Sequence, residues 1–69
     1  MKLSEDKSSL IKELTYDASK QQMSVVYRSD GAKFVYNGIS SGLYGSLTRA
    51  KHVGETWVRI RDNYDHKRV

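Results

Sequence analysis

The hydrophobic pattern of this chain changes its period once, near residue 40, and this change limits the fold more than any other feature. Before it, apolar and polar side chains alternate, as in a strand with one buried face, so that Met23, Val25 and Tyr27 share one parity. After it, Leu43 and Leu47 lie four residues apart, which is the spacing of one helix face. Strands followed by helices predict an α+β domain in which the helices cover one face of an antiparallel sheet.

Three strands are expected before residue 40, over residues 10–16, 22–28 and 33–36. Between the first two, Asp17 begins a turn in which its side chain can accept a hydrogen bond from the backbone ahead. Between the last two, Asp30-Gly31 indicates a hairpin, because glycine tolerates the positive φ that tight hairpins require. We therefore predict a three-stranded antiparallel meander. Its buried face carries Leu14, Tyr16, Met23, Val25, Tyr27, Phe34 and Tyr36.

Two helices are expected after the strands, which gives the order β-β-β-α-α. Ser40 can cap the first helix, since its hydroxyl can accept an orphan backbone N–H. Gly54 is expected to break the helical run, and the second helix follows it. The apolar stripes of the two helices are Leu43, Leu47 and Ala50, and then Trp57, Ile60 and Tyr64.

A chain of 69 residues has room for one thin core, and the sequence divides accordingly. Residues 1–7 are charged and lack periodicity, so they are expected to form a flexible N-terminal segment. Residues 8–65 make up the single domain. Residues 66–69 are expected to be a basic C-terminal tail without regular structure.

Several classes of function are disfavoured by what the chain lacks. It has no cysteine, so neither a thiolate nor a disulfide is available, and this fits a reducing compartment. His52 and His66 are the only histidines, and no motif joins them into a metal site. No Gly-x-Ser-x-Gly elbow or phosphate loop is present. We expect a cytoplasmic binding module with no catalytic activity, metal, cofactor, small-molecule substrate or membrane segment.

The charge distribution suggests one kind of partner. Residues 49–69 hold six basic and three acidic side chains, so that this third of the chain carries +3 of the net +4. Such an excess suggests weak binding of a polyanion, with structured RNA as the first candidate, through its phosphates. An ordinary solvated helix face is the alternative. The candidate nucleic-acid-binding residues are Arg49, Lys51, Arg59, Arg61, Lys67 and Arg68.

The sheet face that points away from the helices suggests a different partner. It is polar with two valines at its centre, and it is either a solvated face or a docking surface for another protein. The residues of this alternative, protein-docking hypothesis are Val26, Arg28, Lys33 and Val35. Phe34 and Tyr36 alternate with them, so parity favours core packing of these two rings over stacking on RNA bases.

The motifs and their order resemble one known family. An aromatic-x-aromatic strand, Phe34-Val35-Tyr36, runs into Asn37-Gly38-Ile39 and then a helix with tyrosine and leucine, and this is similar to the KTSC domain. The family takes its name from a C-terminal segment of some lysyl-tRNA synthetases and includes small stand-alone proteins of bacteria and phages. The resemblance implies a small α+β domain, and the synthetase connection suggests RNA as a ligand. Flanking segments that match are Ser8–Ile11, Leu14–Asp17, Met23–Tyr27, and the positions Tyr44, Leu47, Ala50, Gly54, Trp57, Ile60, Arg61 and Tyr64.

Overall fold

The structure is a computed structural model that describes residues 2–69; Met1, which belongs to the segment expected to be flexible, lies outside them. The domain is α+β, with an antiparallel sheet and two helices, as predicted. The elements in chain order are β1 (Ile11–Asp17), β2 (Gln22–Tyr27), β3 (Lys33–Asn37), α1 (Ser41–Arg49), α2 (Val53–Ile60), a 3-10 helix (Arg61–Asn63) and β4 (His66–Arg68).

The sheet has four strands in the order β1-β2-β3-β4, so the prediction of three strands was wrong. The fourth strand forms from residues that were expected to be an irregular tail. It pairs antiparallel with β3, placing His66 opposite Tyr36 and Arg68 opposite Phe34. All three side chains of β4 are exposed. Because β4 joins through its backbone and buries no side chain, no hydrophobic period marks it in the sequence.

The N-terminal segment packs against the domain instead of extending from it. Lys2 forms a β-bridge with Glu13, and the Leu3 N–H donates to the Lys12 carbonyl at 2.9 Å. The Leu3 side chain is 6 % exposed and belongs to the core. A single leucine carries no periodicity, and for that reason the sequence pattern did not reveal this contact.

A β-bulge in β1 explains the irregular pattern of that strand. The pairing with β2 shifts register between Ile11 and Glu13, so an extra residue is accommodated on β1. Both Ile11 and Leu14 are thereby fully buried, although they differ in parity. Lys12, which interrupts the apolar row in the sequence, is the exposed residue at this bulge.

The core lies between the sheet and the two helices. Of the predicted inward residues, Leu14, Met23, Val25, Tyr27 and Tyr36 are buried, whereas Tyr16 and Phe34 are half-buried. The helices contribute Leu47, Val53 and Trp57, and the β3–α1 connection contributes Ile39. The predicted buried face is therefore largely correct, and the half-buried position of Phe34 matters for the site described below.

Local signals explain the start of α1 and one of the turns. The Ser40 hydroxyl accepts from the Leu43 N–H at 3.1 Å and caps α1, as expected. Gly31 has φ +71°, as the hairpin signal predicts. Gly54, in contrast, does not break the helical run but lies buried within α2. A β-carbon there would lie 2.6 Å from the Ser8 hydroxyl, so glycine allows α2 to approach the N-terminal segment closely.

The helices are short. Within residues 2–69, none has the length and apolar character required to span a bilayer.

Candidate functional site

A hydrogen-bonded tyrosine joins the sheet to the end of the second helix. The Tyr27 hydroxyl, from β2, lies 2.8 Å from the Tyr36 hydroxyl of β3. It also accepts from the Trp57 indole N–H at 3.2 Å and from the Arg61 guanidinium at 3.3 Å. Trp57 and Arg61 can only donate, and a hydroxyl oxygen has two lone pairs. The Tyr27 hydroxyl therefore takes part in three hydrogen bonds, and either phenol can donate in the pair with Tyr36.

A cleft of about 390 Å³ opens beside this network. We call it the Tyr27 cleft. It lies between the β2–β3 hairpin, the 3-10 helix and β4. Its lining residues are Leu10, Tyr27, Ser29, Asp30, Ala32, Phe34, Tyr36, Arg61, Asp62, His66 and Arg68.

Aromatic rings form one wall of the Tyr27 cleft. The Phe34 ring meets the Tyr27 ring edge-on, with centroids 5.6 Å apart and planes at 73°. The His66 imidazole lies 5.9 Å from the Phe34 ring and 5.1 Å from the Tyr36 ring. These contacts hold Phe34 in place while leaving it half-buried.

Arg61 is held in position at the cleft. Its guanidinium carbon lies 5.8 Å from the centre of the Tyr27 ring, within the range of a cation–π contact. The hydrogen bond to Tyr27 raises the pKa of Arg61 above its ordinary value. The side chain is therefore a fixed, permanently charged donor, and the 3-10 helix that follows α2 brings it there.

Tyr36 has the most perturbed ionisation in this network. Burial raises the pKa of its hydroxyl well above the ordinary value near 10, because the phenolate would lose its hydration. Because the folded-state pKa is raised, the contribution of the neutral Tyr36 hydroxyl to the free energy of unfolding is complete below about pH 10. It is lost as the pH rises from there towards the folded-state pKa.

Alkaline destabilisation is therefore expected in this domain, and Tyr36→Phe isolates its source. The free energy of unfolding of the wild type should fall above pH 10 by up to about 1.4 kcal/mol per pH unit from Tyr36 alone. The phenylalanine variant lacks the ionising group, so its fall between pH 9 and pH 11 should be smaller. Urea denaturation at the two pH values measures the difference. Parallel falls in both proteins would show that Tyr36 ionises as readily in the folded state as in the unfolded state.

Comparison with known proteins identifies the family. The sequence model of the KTSC domain matches residues 7–64, most of the chain. The chain belongs to the KTSC domain family. A crystal structure of a KTSC domain protein from Yersinia pestis has the same fold, with a TM-score of 0.88 and 18% sequence identity. The match covers 100% of this chain and 93% of that one. A search of the curated proteins gave no match.

This KTSC domain brings together two of the six cations proposed to bind nucleic acid. Arg61 and Arg68 both line the Tyr27 cleft. Lys67 faces the other side of the sheet, because it pairs with Val35. The remaining three, Arg49, Lys51 and Arg59, are exposed around the helices and do not line the cleft.

The proposed protein-docking residues are also divided. Val26, Lys33 and Val35 lie on the sheet face away from the helices, since Val26 pairs with Lys33 in the register. Arg28, however, is turned to the backbone. Its Nη2 donates to the carbonyls of Leu3, Ser8 and Ile11 at 2.8, 3.2 and 3.1 Å. Arg28 thus anchors the N-terminal segment and is already occupied by these contacts.

Sequence reasoning missed three contributors to the cleft. Phe34 was assigned to the core by parity, and His66 was assigned to a tail without regular structure. Asp62 carried no signal, although it follows Arg61 directly. Recognising β4 would have revealed His66, because its pairing with Tyr36 places both on one face. Within residues 2–69, no three histidine or carboxylate side chains are grouped as a metal site requires.

Proposed function

We propose that this KTSC domain is a non-enzymatic RNA-binding module and that the Tyr27 cleft is its contact site. The observation that carries the proposal is the convergence of Arg61 and Arg68 beside the half-buried Phe34 ring. Guanidinium groups bind phosphate oxygens through paired N–H donors, and aromatic rings accept unpaired bases. Cytoplasmic residence is part of this proposal, because RNA is encountered there.

The two arginines come from separate elements, which supports a built site over a chance cluster of charge. Arg61 belongs to the 3-10 helix and Arg68 to β4. The first is already fixed by Tyr27 at 3.3 Å, so little side-chain freedom is lost when it binds a ligand. Binding by these groups releases counterions from RNA, and affinity should therefore fall as salt is raised.

The double variant Arg61→Gln/Arg68→Gln tests the proposal. For a single-stranded RNA, the slope of log affinity against log salt should become flatter by about 1.4 units, at roughly 0.7 per lost phosphate contact. Fluorescence anisotropy between 50 and 200 mM salt measures it. The matched control is Arg49→Gln/Arg59→Gln, which removes the same charge from exposed positions outside the cleft. If the slope became flatter by the same amount in the two double variants, net charge, and not the cleft, would be what binds RNA.

A protein partner on the opposite sheet face is the second candidate. One observation favours it: Val26 and Val35 are only half-buried there, and the neighbouring Val69 is 73 % exposed. Lys33 and Lys67 flank these valines, which would suit an apolar partner with acidic margins. If this candidate is correct, Val35→Asp abolishes recovery of a protein from cell extract in the presence of RNase, and the Arg61/Arg68 variant does not.

A further inference from the structure

The charge inside the Tyr27 cleft differs from that of the whole chain. The chain has a net charge of +4, yet the cleft is lined by two arginines and two aspartates, Arg61, Arg68, Asp30 and Asp62. Their formal charges cancel. Carboxylates repel a ligand that is purely anionic, so this lining does not suit a bare phosphate chain. It suits a ligand that combines an anionic group with hydrogen-bond donors.

The Phe34 wall adds a requirement for a flat, apolar surface on the ligand. This ring is half-buried at the cleft, and Tyr27 and His66 hold it in place at 5.6 and 5.9 Å. A ring fixed in this way can stack on a planar group without further ordering. Nucleobases offer such a face, but only when they are outside a duplex.

The two aspartates have different roles within the cleft. Asp30 already accepts a hydrogen bond from the Ala32 N–H at 3.0 Å and so stabilises the hairpin loop. No hydrogen bond engages the Asp62 carboxylate within the described part of the chain; this residue adjoins Arg61 in the 3-10 helix and interacts electrostatically with its guanidinium. Carboxylates accept hydrogen bonds from the amino group of cytosine and from similar groups of adenine and guanine. Uracil has no amino group.

We infer that the Tyr27 cleft holds one nucleotide of single-stranded RNA and prefers a base that carries an amino group. The base stacks on Phe34, the phosphates contact Arg61 and Arg68, and the amino group donates to Asp62. This inference rests on the proposed RNA-binding function and specifies its ligand. A volume of about 390 Å³ is near the lower end of the range for small-molecule sites, which fits one nucleotide.

Trp57 provides a reporter for occupation of the cleft. It is the only tryptophan in the chain, and its indole N–H donates to the Tyr27 hydroxyl in the cleft wall. A single indole resonance in a ¹⁵N spectrum therefore senses this wall. The two probes are octacytidylate and an abasic ribose-phosphate strand of the same length and charge.

The base requirement is tested by comparing these probes on the full chain. Octacytidylate should bind at least about tenfold more tightly than the abasic strand, and only octacytidylate should shift the indole resonance. Phe34→Leu removes the ring but keeps an apolar side chain, so it should reduce affinity for octacytidylate about tenfold and leave the abasic strand unaffected. Equal affinity for both strands would overturn the inference while RNA binding survived. Absence of binding by either strand at 50 mM salt would overturn the proposed function as well.

The preference for an amino group has its own test. Wild-type protein should bind octacytidylate about tenfold more tightly than octauridylate, and Asp62→Ala should remove most of this difference. Asp6→Ala is the matched control, because Asp6 is also exposed and does not line the cleft. A wild type that binds both homopolymers equally, or a preference that persists in Asp62→Ala, would overturn the role assigned to Asp62.

Discussion

Trp57→Ala is expected to unfold this domain or to lower its stability by about 3–5 kcal/mol. The indole is fully buried, and the Tyr36 ring packs edge-on against it with centroids 4.7 Å apart. Truncation removes this packing and also the donor to the Tyr27 hydroxyl. A domain of this size has a small free energy of unfolding, so the destabilisation caused by Trp57→Ala approaches that total. Thermal unfolding followed by far-UV circular dichroism measures the effect.

The control for Trp57 lies on the same helix. Val58 is 42 % exposed, so Val58→Ala removes apolar atoms from α2 without opening a cavity, and its melting temperature should stay within a few degrees of wild type. A similarly small change in Trp57→Ala would contradict the arrangement of α2 against the sheet.

Arg28→Met should produce the second largest loss, about 2–3 kcal/mol. Methionine preserves the apolar stem of the side chain but removes the guanidinium. The carbonyls of Leu3, Ser8 and Ile11 then lose a charged donor that lies within 3.2 Å of each. Because these carbonyls belong to the N-terminal segment and the start of β1, that region should lose hydrogen-exchange protection first.

Arg59→Met is the matched variant for this experiment. It removes the same charge from an exposed position on α2, and its free energy of unfolding should change by less than about 0.5 kcal/mol. Equal denaturation midpoints for the two variants would show that the Arg28 contacts add nothing to stability.

The sequence was sufficient for those parts of the fold that depend on burial. Alternation placed Met23, Val25 and Tyr27 on the inner face, and helical spacing placed Trp57 in the core, because each of these side chains is removed from water. The cap at Ser40 and the positive φ at Gly31 were predictable because they depend on local chemistry.

The parts that could not be predicted depend on the backbone or on contacts distant in sequence. β4 buries no side chain, so its pairing with β3 has no compositional signal. The Arg28 bonds span up to 25 residues, and a pattern within one strand cannot show them. Parity identified Phe34 as a residue of the buried sheet face, but the cleft depends on where β4 ends the sheet. Two of the residues that line the cleft, His66 and Arg68, come from β4.

The short fourth strand also makes the affinity of the proposed RNA site depend on a local equilibrium. His66–Arg68 is an edge strand that pairs on one side alone and leaves all three side chains in water. Such a segment can separate from the sheet while the core remains folded. Each separation withdraws His66 and Arg68 from the cleft, so the observed dissociation constant is the intrinsic constant divided by the fraction of molecules in which β4 is paired. Substitutions that strengthen the β3–β4 pairing would thus tighten binding without touching the ligand.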